Sequence, residues 1–472
     1  MSNIPIAIVV LAAGKGTRMG GELPKVTVKT REAPLIHHVL STASMLAPEL
    51  VVIVTGYMKE VVEKTIEDGI KQGIFSFPRL SFVVQESQMG TGDAVRCALP
   101  ELNNFEGIVL ILCGDVPLLT PATLLALCNA HYNHNNTITV LTFSPSITGS
   151  YGRIVRNPIT HEVLKIVEFK DCTAEERVIT EVNSGVYAVD SSFIGPAVKN
   201  LQNNNSQGEY YLTDIVSRAV NEGQRVGTYL GINSNEFLGV NSQLELAEVD
   251  RILLNEQRNR FISTGVILEA PDTFFADSSV VIASGARVGP NVILKGNTTI
   301  GEGVVIEGSA LIIDTKIDVG ALIKFGVRAE SSYIGVKASV GPFAHLRSGS
   351  FLNEKVKVGN FVETKNAVLY EEVAASHLSY LGDCEIGKKS NIGAGTITCN
   401  FDGANKHQTN IGENVFIGSN SSLIAPITVG SGATIGAGSV IQNNVPSKAL
   451  AVTRSPLTLR AEYQRKQKPP TP

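Results

Sequence analysis

From about residue 265 onward, aliphatic residues return every six positions, and no other feature limits the fold so tightly. The clearest run is Ile411, Ile417, Leu423, Val429, Ile435 and Ile441, with glycine directly after four of them, at Gly412, Gly418, Gly430 and Gly436. Earlier runs use Ile282, Val288, Leu294, Ile300, Ile306 and Ile312, then Ile334, Val340, Leu346, Leu352 and Val358; Ile386 and Ile392 keep the spacing. One aliphatic residue in six puts a side chain at a fixed place in each short strand, and glycine permits the tight turn between strands. Stacked coils then bury a continuous aliphatic ladder. A left-handed parallel β-helix of hexapeptide repeats is therefore expected. A β-sandwich with coincidental spacing does not account for runs that stay in phase. The period fixes architecture only, because unrelated activities use such solenoids.

The repeat pattern is broken at residues 365–385, which contain Lys365, His377, Tyr380 and Asp383, and at residues 399–410, a polar insertion from Cys399 to Asn410. Departures from a repeat are where function tends to sit.

The first half has a different texture. Ile6–Leu11, Val51–Thr55, Leu80–Val84 and Ile108–Leu112 read as buried strands, and Pro34–Met45, Lys59–Lys71, Thr91–Leu99 and Pro121–Ala130 as the helices between them. This alternation predicts an α/β domain of Rossmann-like type, with a mostly parallel sheet, helices on both faces and sites at the carboxyl ends of its strands. Asn241 to Ser263 is a charged helical pattern with Leu246, Val249, Ile252 and Leu253 inside it. The expected organisation is a domain over 1–240, a linker helix over 241–263 and the β-helix over 264–472, with a basic, proline-rich tail from Gln464 to Pro472 expected to be disordered.

Composition removes several function classes. The net charge of −4 gives no general attraction to nucleic acid or an anionic membrane, so anionic ligands must be met by local basic residues. No apolar run approaches the ~18 residues of a membrane span. The apolar run Ile4 to Ala13 has no basic residue before it and leads into Gly14-Lys15-Gly16, unlike a signal peptide. The six cysteines form no CxxC pair or zinc-ligand spacing. Reduced thiols in a cytoplasmic protein are the expectation.

The first strand ends in Leu11, Ala12, Ala13, Gly14, Lys15, Gly16, Thr17, Arg18 and Met19. Small residues let the backbone close on a ligand, and its N–H groups can face phosphate. Both the P-loop spacing and the dinucleotide fingerprint are absent, so this segment alone is equally a generic glycine-rich turn. Other residues converge on the same sheet edge: Lys25 in Leu23-Pro24-Lys25, Gln85 at the end of the third strand, Gly90-Thr91-Gly92 opening a helix, and Asp115 after the fourth strand. A carboxylate there is a natural Mg²⁺ ligand, although a turn-forming aspartate reads the same way.

The segments LAAGKGTRM (11–19), LPK (23–25), QESQMGTGDA (85–94), GDVPL (114–118), YGRI (151–154), VEFKD (167–171), EVNSGVY (181–187), QGEYYLTD (207–214) and GVNS (239–242) resemble the nucleotidyltransferases that make nucleotide sugars. Joined to a hexapeptide solenoid carrying HLSYLGDCEIG and NIGAGTITCNFDG, they are similar over nearly the whole chain to the bifunctional N-acetylglucosamine-1-phosphate uridyltransferase and glucosamine-1-phosphate N-acetyltransferase family. The resemblance implies that Gln85 meets uracil, that Gly90 and Thr91 hold base and ribose, and that Leu11 to Gly14 cradle the nucleotide. It implies that Lys25 and Arg18 neutralise phosphate, that Asp115 and Asn241 hold Mg²⁺, and that Gly152, Glu168 and Asn183 bind N-acetylglucosamine-1-phosphate. Transfer of UMP from UTP needs alignment and charge stabilisation rather than a protein nucleophile. The chain departs from the family pattern at Asp93 where histidine is common, at Thr27-Val-Lys-Thr30 where Leu-His is common, at Cys113 where tyrosine is common and at Phe401 where tyrosine is usual.

The same resemblance implies acetyl transfer from acetyl-coenzyme A to glucosamine-1-phosphate in the second half. An attacking amine must lose a proton, and His377 is the candidate base, oriented by Glu363. On residue type alone, a lone histidine reads as surface or packing. Arg347, Lys365, Tyr380, Asn391 and Asn400 would bind the sugar phosphate and place the amine. Ala394, Ser419, Ala437, Arg454 and Lys406 would line the acetyl-coenzyme A groove. Family members are homotrimers sharing this site between subunits. Two other readings compete: a pyrophosphorylase whose solenoid is only a platform, and a non-catalytic sugar-nucleotide sensor. His377 with Glu363 argues against the first; retention of Asp115, Lys25 and His377 argues against the second.

Overall fold

A computed structural model of the chain describes every residue except 1–3, 17–18, 20–22, 32 and 466–472. Arg18 and the tail beyond Arg465 therefore lie outside the described residues. The chain divides into two compact units, Met1–Leu253 and Leu254–Pro472. The expected linker helix is present as Gln243–Ser263, and the division falls within it.

The first unit is built on β1 (Ile6–Leu11), β2 (Leu50–Thr55), β3 (Leu80–Val84), β4 (Ile108–Cys113), β5 (Ile138–Phe143), β6 (Arg153–Arg156), β7 (Val163–Val167), β8 (Val182–Asp190) and β9 (Val226–Leu230). The main sheet runs β3-β2-β1-β4-β8-β5-β9, and β6 and β7 form an antiparallel pair at its side. The parallel part matches the sequence reading. The exception is β8, which lies antiparallel to both β4 and β5.

Successive residues of β1 point to opposite faces, as a pleated strand requires. Ala7 and Val9 enter one core with Ala94, Val95 and Ala98 of the helix Thr91–Leu102, whereas Ile8 and Val10 enter another with Ile36, Val39 and Leu40 of the helix Leu35–Ser44. Helices thus cover both faces. The parallel register sets Leu11 opposite Val54 and Cys113, and Thr55 opposite Val84. The carboxyl ends of four strands therefore open at one edge.

In the second unit, every aliphatic residue of the six-residue ladders is buried in one continuous core from Val266 to Val445. Strands pair in parallel with their counterparts one coil on, as Arg287 with Val305, Val305 with Leu322 and Leu322 with Ser339. The result is the left-handed parallel β-helix the period predicts. A second buried column, two residues before the first, escaped the aliphatic pattern because it is built of Ala, Val, Thr and Ser. Most of its hydroxyls donate locally, as Ser421 Oγ does to Gly418 O at 2.6 Å and Thr396 Oγ1 to Gly393 O at 2.6 Å, whereas the Thr409 hydroxyl is buried without a partner.

The two sequence breaks differ physically. Residues 365–385 do not interrupt the solenoid: Thr364, Leu369, Ala375, Leu381 and Ile386 continue the buried ladder, with two steps shortened by one residue. Glu363–Leu369 and Tyr380–Ile386 run through the shortened corners as long paired strands. Residues 399–410 do leave the coil, closed by an antiparallel bridge between Phe401 and Lys406.

Candidate active sites

In the first unit, Leu11, Ala13, Gly14, Lys25, Gln85, Gly90, Thr91 and Asp115 line one cleft of about 360 Å³ at the strand edge. Ala12 is the exception among the loop residues. Strand alternation carries its side chain into the core, and its N–H donates to Val54 O at 2.9 Å. Lys25 opens a short 3₁₀ turn after Pro24. It approaches the glycine loop so closely that a Cβ on Gly16, which has φ +69°, would lie 2.5 Å from Lys25 Cβ. Lys15 turns away, its ammonium 5.1 Å from the Tyr57 ring centre.

Asp115 and Asn241 come from distant segments and meet on one atom. Lys25 Nζ is ion-paired with Asp115 Oδ2 and donates to Asn241 Oδ1 at 2.9 Å. Two hard oxygens therefore converge where a cation sits, a donor pair that suits Mg²⁺, which keeps water and phosphate oxygens as its other ligands. Among the described residues no group of three or more His, Cys, Asp and Glu could hold a metal.

Gly90 caps the helix Thr91–Leu102 with φ +106°, and a Cβ there would meet Tyr210 O at 2.7 Å. Thr91 Oγ1 accepts from Leu212 N at 3.1 Å. Glu209, from the QGEYYLTD segment, lines the cleft, as does Gln88, which donates to Ala13 O at 2.8 Å. Sequence reasoning did not single out either one, although both fall inside the motifs it quoted.

Cys113 separates the cleft from a second polar group. Burial, reinforced by Asp115, pushes its thiol up to about 12. Burial likewise raises the Glu168 carboxyl, which accepts from Thr213 Oγ1 at 3.3 Å. Asn183 N donates to Gly152 O at 2.8 Å, and Asn183 Nδ2 to the Tyr187 hydroxyl at 2.7 Å. Gly152, Glu168 and Asn183 thus lie on neighbouring ends of β6, β7 and β8.

In the second unit, His377 faces solvent and its Nδ1 lies 2.9 Å from Asn360 Oδ1, its partner in strand register. Glu363 does not hydrogen-bond to His377. It lies around the corner of the coil and pairs with Arg347 at 2.8 Å. The side chain in contact with His377 Nδ1 is that of Asn360, a residue the sequence reading did not mark.

Counting along the paired strands, the position of His377 is followed in successive coils by Ala394, Ser419 and Ala437. These small residues form one row leading away from the histidine. Ala437 also lines a cleft with Arg454 at the end of the solenoid.

Lys365 and Lys406 come together from the long strand and the excursion loop, and Lys406, with Arg347 beyond it, holds the Lys365 ammonium below its ordinary value. Such crowding of cations is relieved by a bound phosphate. Asp383 sits beside them. Burial pushes its carboxyl up, but hydrogen bonds from Asn366 and Asn400 and the two lysines hold it lower. Tyr380 lies flat along its strand over Gly382, where a Cβ would meet the phenol oxygen at 2.5 Å. Asn391 stands apart from this group, exposed on another face beside Ala374 and Phe416.

Three known families match separate stretches of the chain. A MobA-like NTP transferase domain matches residues 8–160, a GMPPB C-terminal domain residues 271–360, and six bacterial transferase hexapeptide repeats residues 408–443. The chain is 42% identical over 468 residues to the bifunctional protein GlmU of Geotalea uraniireducens, covering 99% of this chain and 100% of that protein. It belongs to the GlmU family. The GlmU of Stutzerimonas stutzeri is 44% identical, covering 95% of this chain and 96% of its own, and that of Acinetobacter baumannii is 41% identical, covering 98% of each. No helix among the described residues is long and apolar enough to cross a membrane.

Proposed function

We infer that the chain is a bifunctional transferase that acetylates glucosamine-1-phosphate in its second unit and converts the product, with UTP, to UDP-N-acetylglucosamine in its first. The observation that carries this reading is the pairing of two built sites with full-length GlmU kinship: a nucleotide cleft closed on Lys25, Asp115 and Asn241, and a solvent-facing histidine heading a row of small residues.

At the first site, Asp115 and Asn241 would hold Mg²⁺, which when bound supplies charge neutralisation to the triphosphate. Lys25, freed from Asp115, would meet phosphate oxygens, with Arg18 as a second cation. Gln85, Gly90 and Thr91 position the base and ribose, with Leu11, Ala13 and Gly14 beneath the nucleotide. Gly152, Glu168 and Asn183 orient the sugar phosphate so that its oxygen attacks the α-phosphorus in line with the departing diphosphate. Alignment of this kind accounts for much of such rate enhancements.

At the second site, His377 takes the proton of the attacking amine through Nε2. Asn360 Oδ1 accepts from Nδ1–H and so fixes the tautomer that leaves Nε2 free. Arg347 and Lys365 face the sugar phosphate, joined by Lys406, which the sequence reading set in the acetyl-coenzyme A groove but which contacts Lys365; Asn400, held by Asp383, and Tyr380 place the amine. The row through Ala394, Ser419 and Ala437 to Arg454 takes the extended arm of acetyl-coenzyme A.

A homotrimeric assembly of a cytoplasmic enzyme fits this reading. Phe325, Phe343 and Phe361 are exposed on successive coils with ring centres 5.7 Å apart, the first pair edge-to-face and the second stacked, an apolar ridge that Leu378 continues. Phe361 and Leu378 directly follow Asn360 and His377, so a second copy seated on the ridge would border the acetyl site.

The test supplies the purified chain with glucosamine-1-phosphate, acetyl-coenzyme A, UTP and Mg²⁺, and UDP-N-acetylglucosamine is expected. Product from N-acetylglucosamine-1-phosphate but never from glucosamine-1-phosphate would reduce the solenoid to a platform. Product from neither would leave a sensor.

A further inference from the structure

Gln85 closes β3, is only 5% exposed and lines the nucleotide cleft. Its Nε2 donates to Gly90 O at 3.0 Å and to Asp93 Oδ2 at 2.8 Å. An amide nitrogen carries two hydrogens, so both are spent. Neither partner can donate in return, since one is a carbonyl and the other a carboxylate. Turning the amide over would set Oε1 against two acceptors. No described residue donates to Oε1, which is left as the one polar atom Gln85 can offer a ligand.

Asp93 is itself braced. Arg96 lies one helical turn on, its guanidinium 3.7 Å from Asp93 Oδ1. Arg96 in turn packs over the Tyr210 ring at 4.5 Å and donates to Val198 O at 3.0 Å. Asp93 is also one of the positions at which this chain departs from the family pattern.

We propose that Asp93 is a positioning residue that sets the base specificity of the nucleotide site by holding Gln85 as an obligate hydrogen-bond acceptor. The site then takes a pyrimidine whose ring N3 carries hydrogen, as uracil does. It rejects cytosine, whose N3 presents a lone pair to Oε1. A site that would leave two acceptors facing each other discriminates more strongly than an apolar pocket does. The proposal rests on the uridylyl reading of the cleft.

The test measures kcat and KM of the full-length protein for UTP and for CTP, with N-acetylglucosamine-1-phosphate and Mg²⁺, by diphosphate release. Wild type should prefer UTP. In Asp93→Asn, whose amide can donate to a reversed Gln85, the UTP:CTP ratio of kcat/KM should fall about tenfold, the worth of roughly one hydrogen bond. Most of that loss should appear as a raised KM for UTP, with kcat within about twofold. Asp93→Glu keeps an acceptor-only group and should keep the preference. If Asp93→Asn does not fold, Asp93→Ser gives the same comparison. An unchanged ratio in the folded variant, or equal loss in Asp93→Asn and Asp93→Glu, overturns the role of Asp93 alone. A wild type that turns over neither nucleotide, or prefers CTP, overturns the uridylyl reading and the proposal with it.

Discussion

His377 Nδ1 lies 2.9 Å from Asn360 Oδ1, one coil earlier in the same strand ladder, while Glu363 is engaged with Arg347. If this contact selects the ring tautomer, Asn360→Ala should slow acetyl transfer about tenfold, roughly the worth of one hydrogen bond. Glu363→Gln should cost less, because its effect passes through Arg347. His377→Ala should lose ~10²–10⁴-fold, the usual worth of a general base, and recover partly as rising pH supplies free amine. Initial rates of thiol release from acetyl-coenzyme A give all three values, and a larger loss from Glu363→Gln than from Asn360→Ala would make Glu363 the orienter.

Asp115→Asn should remove uridylyl transfer and leave acetyl transfer intact. The substitution keeps the shape but takes away the charge that meets Lys25. Loss of a group that stabilises developing charge costs at least ~10²-fold. Diphosphate release measured across a Mg²⁺ titration checks this, and normal turnover by the variant would remove Asp115 from the metal site.

Two buried thiols predict a stability change at alkaline pH. Burial holds Cys128 and Cys384 at about 12, against 9.0 for a free thiol. The folded chain keeps these protons more tightly than the unfolded chain, so the contribution is fully present below pH 9 and is lost as pH rises from 9 towards 12. About 1 kcal/mol per thiol should go by pH 10. Urea midpoints taken from pH 8 to 10 should fall, and less steeply in Cys384→Ala for the second unit. Parallel slopes for wild type and variant would contradict the assignment.

The two units should also work apart. Val249 and Ile252 pack with Met19, Leu35, Leu118 and Val240, whereas Arg258 donates to Phe274 O at 3.1 Å and 3.0 Å. A fragment ending near Leu253 keeps the first set of contacts and sheds the second. It should fold and make UDP-N-acetylglucosamine from N-acetylglucosamine-1-phosphate. A folded fragment without activity would show that the solenoid completes the first site.

The sequence by itself determined the solenoid, because a backbone that repeats its geometry every six residues must bury the same position each time, from Ile282 to Ile441. It also determined the first cleft, because loops that leave the carboxyl ends of parallel strands must open at one edge, where Lys25, Gln85 and Asp115 meet. Only the tertiary structure decided the rest. Strand β8 runs antiparallel because its neighbours and register are set by long-range pairing that no local pattern encodes. Residues 365–385 remain in the coil because shortening a corner by one residue breaks the written period while leaving the stacking intact. Which side chains touch across coils depends on register. Register put Asn360, and not Glu363, beside His377, and the side-chain directions around Gln85 put both of its amide hydrogens on acceptors.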